Sequence, residues 1–210
     1  MKFVDLSHPL IHGQDNFPSD PKLSIVPHGN TATLRYNMTQ VSMATHQGTH
    51  LDAMYHFVDD GKTIDQMPLE WFYGDAILLR IPKAPREEIV PADFQRIEHL
   101  LQPGTKLIYE TGWHRQFGQK NYFSDFPSLT QDAARYLVSR KIRLLGMDTP
   151  TPGRDWYEVH HILLGHDAEV VVVEGLTNLD QLPERFVFSG FPLNFKGRDG
   201  SPIRAVAILP

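Results

Sequence analysis

The chain has no cysteine among its 210 residues. That removes disulfides, thiolate metal sites and cysteine nucleophiles, so any metal must be held by nitrogen and oxygen donors. It has no Lys/Arg run or basic stripe, and its formal net charge is -5, which argues against nucleic acid or an anionic membrane as partner. No apolar stretch approaches the roughly 20 residues that span a bilayer. The opening Met1-Lys2-Phe3-Val4 meets Asp5, Ser7 and His8 at once, unlike a secretory signal; with the missing cysteines, the expectation is a cytoplasmic protein. Internal repeats, low-complexity tracts and a pooled Pro/Gly linker are also missing, so residues 1–210 are expected to form a single domain. What is present is 41% hydrophobic and 21% charged, the balance of a globular chain long enough for a full core.

Short apolar runs at Ala76–Ile81, Lys106–Glu110, Ile142–Met147, Val170–Val173 and Ala205–Leu209 read as strands. Val170–Val173 is apolar at four successive positions, as in a strand buried on both faces. Helices are expected over Pro91–Leu101, where proline suits the first turn and Pro103-Gly104 ends the pattern, and over Gln131–Ser139, with Thr130 as cap. Strands outnumber helices, so the fold class is α/β or α+β, rich in sheet.

The chemistry concentrates in residues 46–56, His46-Gln47-Gly48-Thr49-His50-Leu51-Asp52-Ala53-Met54-Tyr55-His56, which hold three of the eleven histidines and an aspartate. Imidazole and carboxylate bind borderline and hard divalent metals. Gly48-Thr49 disfavours a helix between His46 and His50, but a turn there can converge the two rings. His50 and Asp52 point to the same side of an extended chain. A His-x-x-x-His pair alone is common on solvated surfaces; the aspartate two residues on and the third histidine make a metal site the better reading.

A second concentration lies downstream. His160 and His161 are adjacent, and Glu174 closes the valine run. A carboxylate at the end of a core strand needs a partner or a metal unless it reaches solvent. His166, in Gly165-His166-Asp167, is expected on the surface. Phe17, Phe57, Trp71, Phe72 and Tyr73 are candidates for an apolar slot, although aromatic side chains mostly fill cores. Trp113 and His114 follow a strand end, where core, surface and site are all open.

The histidine segment resembles the H-x-G-T-H-x-D-x-x-x-H signature of the cyclase-like metal-dependent hydrolases, which include bacterial kynurenine formamidases (arylformamidases) and isatin hydrolases. Asp5-Leu6-Ser7-His8-Pro9-Leu10, Phe17-Pro18-Ser19-Asp20-Pro21, Thr111-Gly112-Trp113, Gly146-Met147-Asp148 and Gly200-Ser201-Pro202-Ile203-Arg204-Ala205 extend the likeness over most of the chain. The resemblance implies a swivelling β/β/α domain and roles by position. His46 and His50 would bind one metal, Asp52 would bridge two, His160 would bind the second, and Glu174 would bridge or complete the pair. His56 would transfer the proton, and Phe17 would pack on the substrate ring. It also implies Zn2+, two per subunit, with Mn2+ as the alternative, a small-molecule substrate, and a homodimer or dimer of dimers. The chain departs from the pattern at Met54, where the family has proline, at Ser19, where it has glycine, and in a longer interval from His160 to Glu174. That interval leaves His161 as the competing ligand; His160-His161-Ile162-Leu163-Leu164 matches the family's H-x-x-L-L and favours His160.

The chemistry so implied is hydrolysis of an amide, N-formylkynurenine foremost. Bound water is acidified toward a pKa of about 7 by the metal, and a histidine carries the proton. The alternatives are a hydrolase of a cyclic amide such as isatin or of a lactone-like ester and, in another class, a metal- or small-molecule-binding module without catalysis.

Overall fold

The valine run is an interior strand of a nine-stranded sheet, third from one edge. The structure is a computed structural model that describes residues 1–210. Its strands in chain order are β1 (Lys2–Asp5), β2 (Ser24–Gly29), β3 (Met38–Ser42), β4 (His50–Asp52), β5 (Tyr73–Arg80), β6 (Glu88–Ile89) and β7 (Lys106–Glu110). They continue with β8 (Ser128–Leu129), β9 (Leu144–Met147), β10 (Val171–Glu174), β11 (Arg185–Ser189), β12 (Gly200–Pro202) and β13 (Val206–Leu209). The helices are α1 (Thr31–Leu34), α2 (Pro91–Gln95), α3 (Gln131–Ser139) and α4 (Trp156–Leu164).

The large sheet runs β1-β13-β11-β5-β7-β9-β10-β4-β12. Its middle four strands, β5, β7, β9 and β10, are parallel, and every flanking pair is antiparallel. Parallel strands must be covered on both faces, and side-chain alternation divides the burial. Ala76, Leu78, Ile108, Leu144, Val171 and Val173 enter one core, in which strands from both edges of the sheet also meet, so the sheet curls around it. Leu79, Leu107, Tyr109, Leu145, Met147, Val170 and Val172 enter the other, against α2, α3 and α4. Each fully buried valine or leucine contributes about 1.5–3 kcal/mol over an exposed one, so the register of these strands is strongly held.

Residues Gln131–Ser139 form α3 as expected, with the Thr130 hydroxyl accepting from Ala133 N at 3.2 Å. The helix expected over Pro91–Leu101 stops at Gln95, and a separate turn of 3-10 helix covers Glu98–Leu100. Phe94 is the one residue of α2 that is buried, so no continuous apolar stripe carries the helix further. α4 was not expected, because its β-branched and aromatic residues are poor helix formers; burial of Val159, His160, Leu163 and Leu164 against the sheet stabilises it. Outside the large sheet, β2 and β3 form an antiparallel hairpin whose Val26, Met38 and Val41 are exposed. No helix is long and apolar enough to cross a membrane.

Where β10 ends, Gly175 joins it to the turn before β4. Its φ is +65°, its carbonyl accepts from the Thr49 hydroxyl at 2.6 Å, and a Cβ there would lie 2.9 Å from the Gly48 carbonyl oxygen. Gly197 has a similar φ of +71° with nothing near. Both Gly→Ala variants incur left-handed strain of about 1–3 kcal/mol, and Gly175→Ala adds a clash with backbone. Thermal denaturation is expected to lower Tm by several degrees for Gly197→Ala and by clearly more for Gly175→Ala. Equal shifts would contradict the close approach.

Candidate active site

β4 is three residues long, yet it pairs on both sides, with β10 and with β12, and is buried throughout. Alternation turns Leu51 into the core and leaves His50 and Asp52 together on the opposite face. The register sets Glu174 opposite His50. α4 adds His160 from its buried side, and Phe57 stacks on that ring at 4.4 Å with 6° between planes. His161, one residue on, is directed away, its Nδ1 2.9 Å from the Tyr157 carbonyl. Of the two adjacent histidines, His160 is therefore the one that enters the cluster.

His50 Nδ1 donates to the Gly48 carbonyl at 2.9 Å and His160 Nδ1 donates to the Trp156 carbonyl at 2.6 Å. Each bond fixes its ring and leaves Nε2 facing the carboxylates, the arrangement that orients metal-binding histidines. His50 Nε2 lies 3.4 Å from Asp52 Oδ1 and 3.3 Å from Glu174 Oε2. His160 Nε2 lies 3.2 Å from Glu174 Oε1 and 3.5 Å from Asp52 Oδ2. These separations exceed the roughly 2.7–2.9 Å of a charge-assisted hydrogen bond. They match the edge of about 3.3 Å that follows from tetrahedral bonds of 2.0–2.1 Å around zinc. Asp52 is 1% exposed, and its buried Oδ2, with only His160 Nε2 near it at 3.5 Å, is an orphaned oxygen that a cation would fit.

Electrostatics makes the same demand. Asp52 and Glu174 are both deeply buried. Burial alone would neutralise them, but the facing imidazoles of His160, His46 and His50 hold Asp52 well below the usual carboxylate range, and those of His160 and His50 keep Glu174 low. Burial disfavours charge on the imidazoles too, yet Asp52 and Glu174 raise His50 well above its ordinary value and His160 to about 10. The cluster requires positive charge, from protons or from a metal.

His46 is placed differently. Its Nδ1 is 2.8 Å from Asp52 Oδ1 and its Nε2 is 2.7 Å from Asp199 Oδ2. Burial lowers its pKa, and the bonds to Asp199 and Asp52 more than offset this. The His46 bond, in turn, is the main cause that holds Asp199 far below its ordinary value. Asp199 was missed in the sequence. Its signal is position: it directly precedes Gly200, which pairs with Asp52, and a Cβ on Gly200 would lie 2.8 Å from His46 Cε1.

His56 ends a single 3-10 turn, Met54–His56, that follows β4. Met54, at the position of the family's proline, is buried in the core and anchors that turn. The His56 ring stacks on His46 at 3.8 Å, and its Nδ1 is 4.0 Å from Asp199 Oδ2. Burial lowers its pKa to about 4, so it is neutral near pH 7.

The cluster opens on a cavity of about 220 Å³, lined by His46, His50, His56, His160 and Glu174 and by Phe17, Phe57, Phe117, Phe123 and Trp156. A dry cavity of about 150 Å³ accommodates benzene, so this one suits a single substituted ring. Phe17 meets Phe123 edge to face at 6.3 Å. The other candidate aromatics lie elsewhere. Phe72 is core, Trp71 packs beneath the Arg143 guanidinium at 4.0 Å, and Tyr73 stacks on Phe191. Trp113 is buried with Tyr122 and Phe126, and His114 Nδ1 sits 3.3 Å from Asp148 Oδ2. His166 is on the surface, 2.9 Å from Asp60.

A family model described as "Putative cyclase" matches residues 4–154. A kynurenine formamidase of Bacillus anthracis is 29% identical over 213 residues, which cover 98% of this chain and 96% of the relative. An isatin hydrolase bound to the product analogue thioisatinate shares the fold, with a TM-score of 0.90 at 21% identity over 100% of this chain and 92% of that one. A predicted metal-dependent hydrolase from Bacillus stearothermophilus gives a TM-score of 0.81 at 27% identity, over 98% and 97% of the two chains.

Removing an orienting partner of a metal-binding imidazole typically weakens metal affinity 10- to 100-fold. Asp199→Asn is therefore expected to weaken Zn2+ binding within roughly that range by calorimetric titration, with the fold intact by circular dichroism. An unchanged affinity would show that His46 needs no second carboxylate.

Proposed function

The chain belongs to the cyclase family, and from that premise we propose that it is a metal-dependent amidohydrolase that removes the formyl group from an aryl formamide, N-formylkynurenine foremost. One observation carries the reading. Two buried carboxylates and converging imidazole nitrogens, at the spacing of metal ligands, open on a cavity walled by aromatic rings. The names of the similar proteins support it. Residues 1–210 act in this reading as a single hydrolase domain.

His46, His50 and Asp52 would hold one ion, and Asp52, His160 and Glu174 would hold a second. Zinc suits this His/carboxylate donor set, and manganese is the alternative because oxygen donors are well represented. A divalent ion there supplies Lewis acidity toward the formyl carbonyl and makes water a competent nucleophile near neutral pH. Phe17, with Phe57, Phe123 and Trp156, holds the aryl ring and keeps bulk water out. His56, neutral and beside the cluster, takes the proton from the attacking water and delivers it to the leaving nitrogen. The amide C–N bond breaks, one water is consumed, and formate, an arylamine and one proton leave.

The roles of Asp52 and His56 separate by experiment. Asp52→Asn removes a charge from both ion positions, and metal content and formate release should fall together. His56→Ala should lose roughly 10²–10⁴-fold in kcat while metal content, measured by atomic emission, stays at the wild-type level. Undiminished turnover in His56→Ala with metal retained would instead remove His56 from the proton transfer, no turnover by the metal-loaded wild type would favour a binding module, and isatin opening without formamide hydrolysis would move the substrate class to cyclic amides.

The active form is proposed to be a homo-oligomer. Val26, Met38 and Val41 of the β2–β3 hairpin are exposed apolar side chains on an arm outside the large sheet, which a second copy would cover. Light scattering should give twice the 24.0 kDa chain mass or a larger multiple, and a value of 24.0 kDa at micromolar concentration would contradict it.

A further inference from the structure

Three polar side chains in the cavity wall each carry an atom with nothing to bond. Tyr122 and Thr151 line the cavity, are 2% and 4% exposed, and their Oη and Oγ1 lack any hydrogen-bond partner. Gln14 also lines it, with its Nε2 unpartnered. A buried hydroxyl left unpaired costs about 1–3 kcal/mol, so several such groups around one cavity mark the polar outline of a ligand.

Each group is held in place from behind. Trp113 Nε1 donates to the Tyr122 carbonyl at 2.9 Å, and the Tyr122 ring meets Phe117 and Phe123 edge to face at 5.2 and 4.9 Å. The Thr149 hydroxyl donates to the Thr151 carbonyl at 3.0 Å. Gln14 Oε1 accepts from Ile11 N at 3.0 Å, which commits that oxygen and leaves the NH₂ end free. Burial, reinforced by the charges of Asp148 and Glu174, pushes the Tyr122 phenol well above its ordinary pKa. It therefore stays protonated and can donate.

The charge of the lining narrows the ligand. No lysine or arginine lines the cavity, while Asp15 and Asp20 do. A carboxylate attached directly to the substrate ring would find neutral donors but no cationic side chain, and two acidic neighbours. A neutral carbonyl uses the same donors without needing a countercharge.

We propose that Tyr122 and Thr151 are specificity-determining residues that donate hydrogen bonds to a second, uncharged carbonyl on the substrate's aromatic ring, assisted by the Gln14 amide. This deepens the formamidase reading and rests on it. The hydrolase would then select ring-acylated formanilides over plain formanilide. Plain formanilide leaves the buried hydroxyls unpaired, the situation in which a site rejects an analogue that lacks the expected polar group.

The test uses the zinc-loaded protein and three probes: formanilide, 2-acetylformanilide and 2-formamidobenzoate. Wild type should hydrolyse the acetyl compound with a kcat/KM at least about tenfold above that of formanilide, and the benzoate more slowly than the acetyl compound. In Tyr122→Phe, and separately in Thr151→Val, the acetyl-to-unsubstituted ratio should fall by about tenfold or more. Thr151→Ser, which keeps the hydroxyl, should hold the wild-type ratio. A ratio is independent of the fraction of protein folded, so partial misfolding does not mimic the effect. Retention of the wild-type ratio in both Tyr122→Phe and Thr151→Val would overturn the proposal while leaving the formamidase reading intact, and so would a preference for the benzoate. If wild type hydrolyses none of the three, the formamidase reading falls and takes this proposal with it.

Discussion

The interaction on which the rest depends is the approach of two buried carboxylates, Asp52 and Glu174, to the imidazoles of His50 and His160. Removing a carboxylate from water costs several kcal/mol even after relaxation, and here two are removed side by side. Protons on the histidines can balance them, but N···O distances of 3.2–3.5 Å are long for charge-assisted hydrogen bonds and suit donors that converge on divalent ions. A fold that accepts this penalty without a cation stores the stability that the cation returns on binding.

The sheet makes the penalty bearable by fixing His50, Asp52 and Glu174 on paired strands, with α4 adding His160. β10 is locked by parallel pairing to β9 on one side and antiparallel pairing to β4 on the other. Glu174 stands at its carboxyl end, the end at which parallel α/β sheets place their sites. β4 has too few residues to be stable alone, and its two neighbours define its register. A slip of one residue would send His50 and Asp52 into the core and Leu51 into the site. Gly175, whose backbone nearly touches Gly48, draws the two strand ends together. Phe17, Phe57, Phe117 and Phe123 come from loops and turns and Trp156 from the start of α4, so in the proposed reading the metal donors gather at the sheet while mostly loop residues meet the substrate.

Much of this was legible in the sequence, for identifiable reasons. The valine run betrayed a doubly buried strand, and the two-residue spacing of His50 and Asp52 placed them on one face because strand alternation is purely local. The eleven-residue histidine segment carried most of the cluster. What escaped was long-range. α4 forms because the sheet buries one side of it, against the weak helix preference of Trp156-Tyr157-Glu158-Val159. Asp199 reaches His46 only through the pairing of β12 with β4, which nothing local announces. Tyr122 and Thr151 gave no signal at all, since a buried hydroxyl without a partner exists only in three dimensions. The helix expected over Pro91–Leu101 was too long because Pro103-Gly104 was taken as its end, whereas the apolar contacts of α2 are confined to Phe94.

The most direct test of the central claim is formate release from N-formylkynurenine by one preparation in three states: as purified, after exhaustive dialysis against a chelator, and after Zn2+ is returned. Release in the first state, its loss in the second and its recovery in the third would bear out a site that works only with a cation among Asp52, Glu174 and their histidines. Full hydrolysis by the chelated protein, with metal shown absent by elemental analysis, would contradict it.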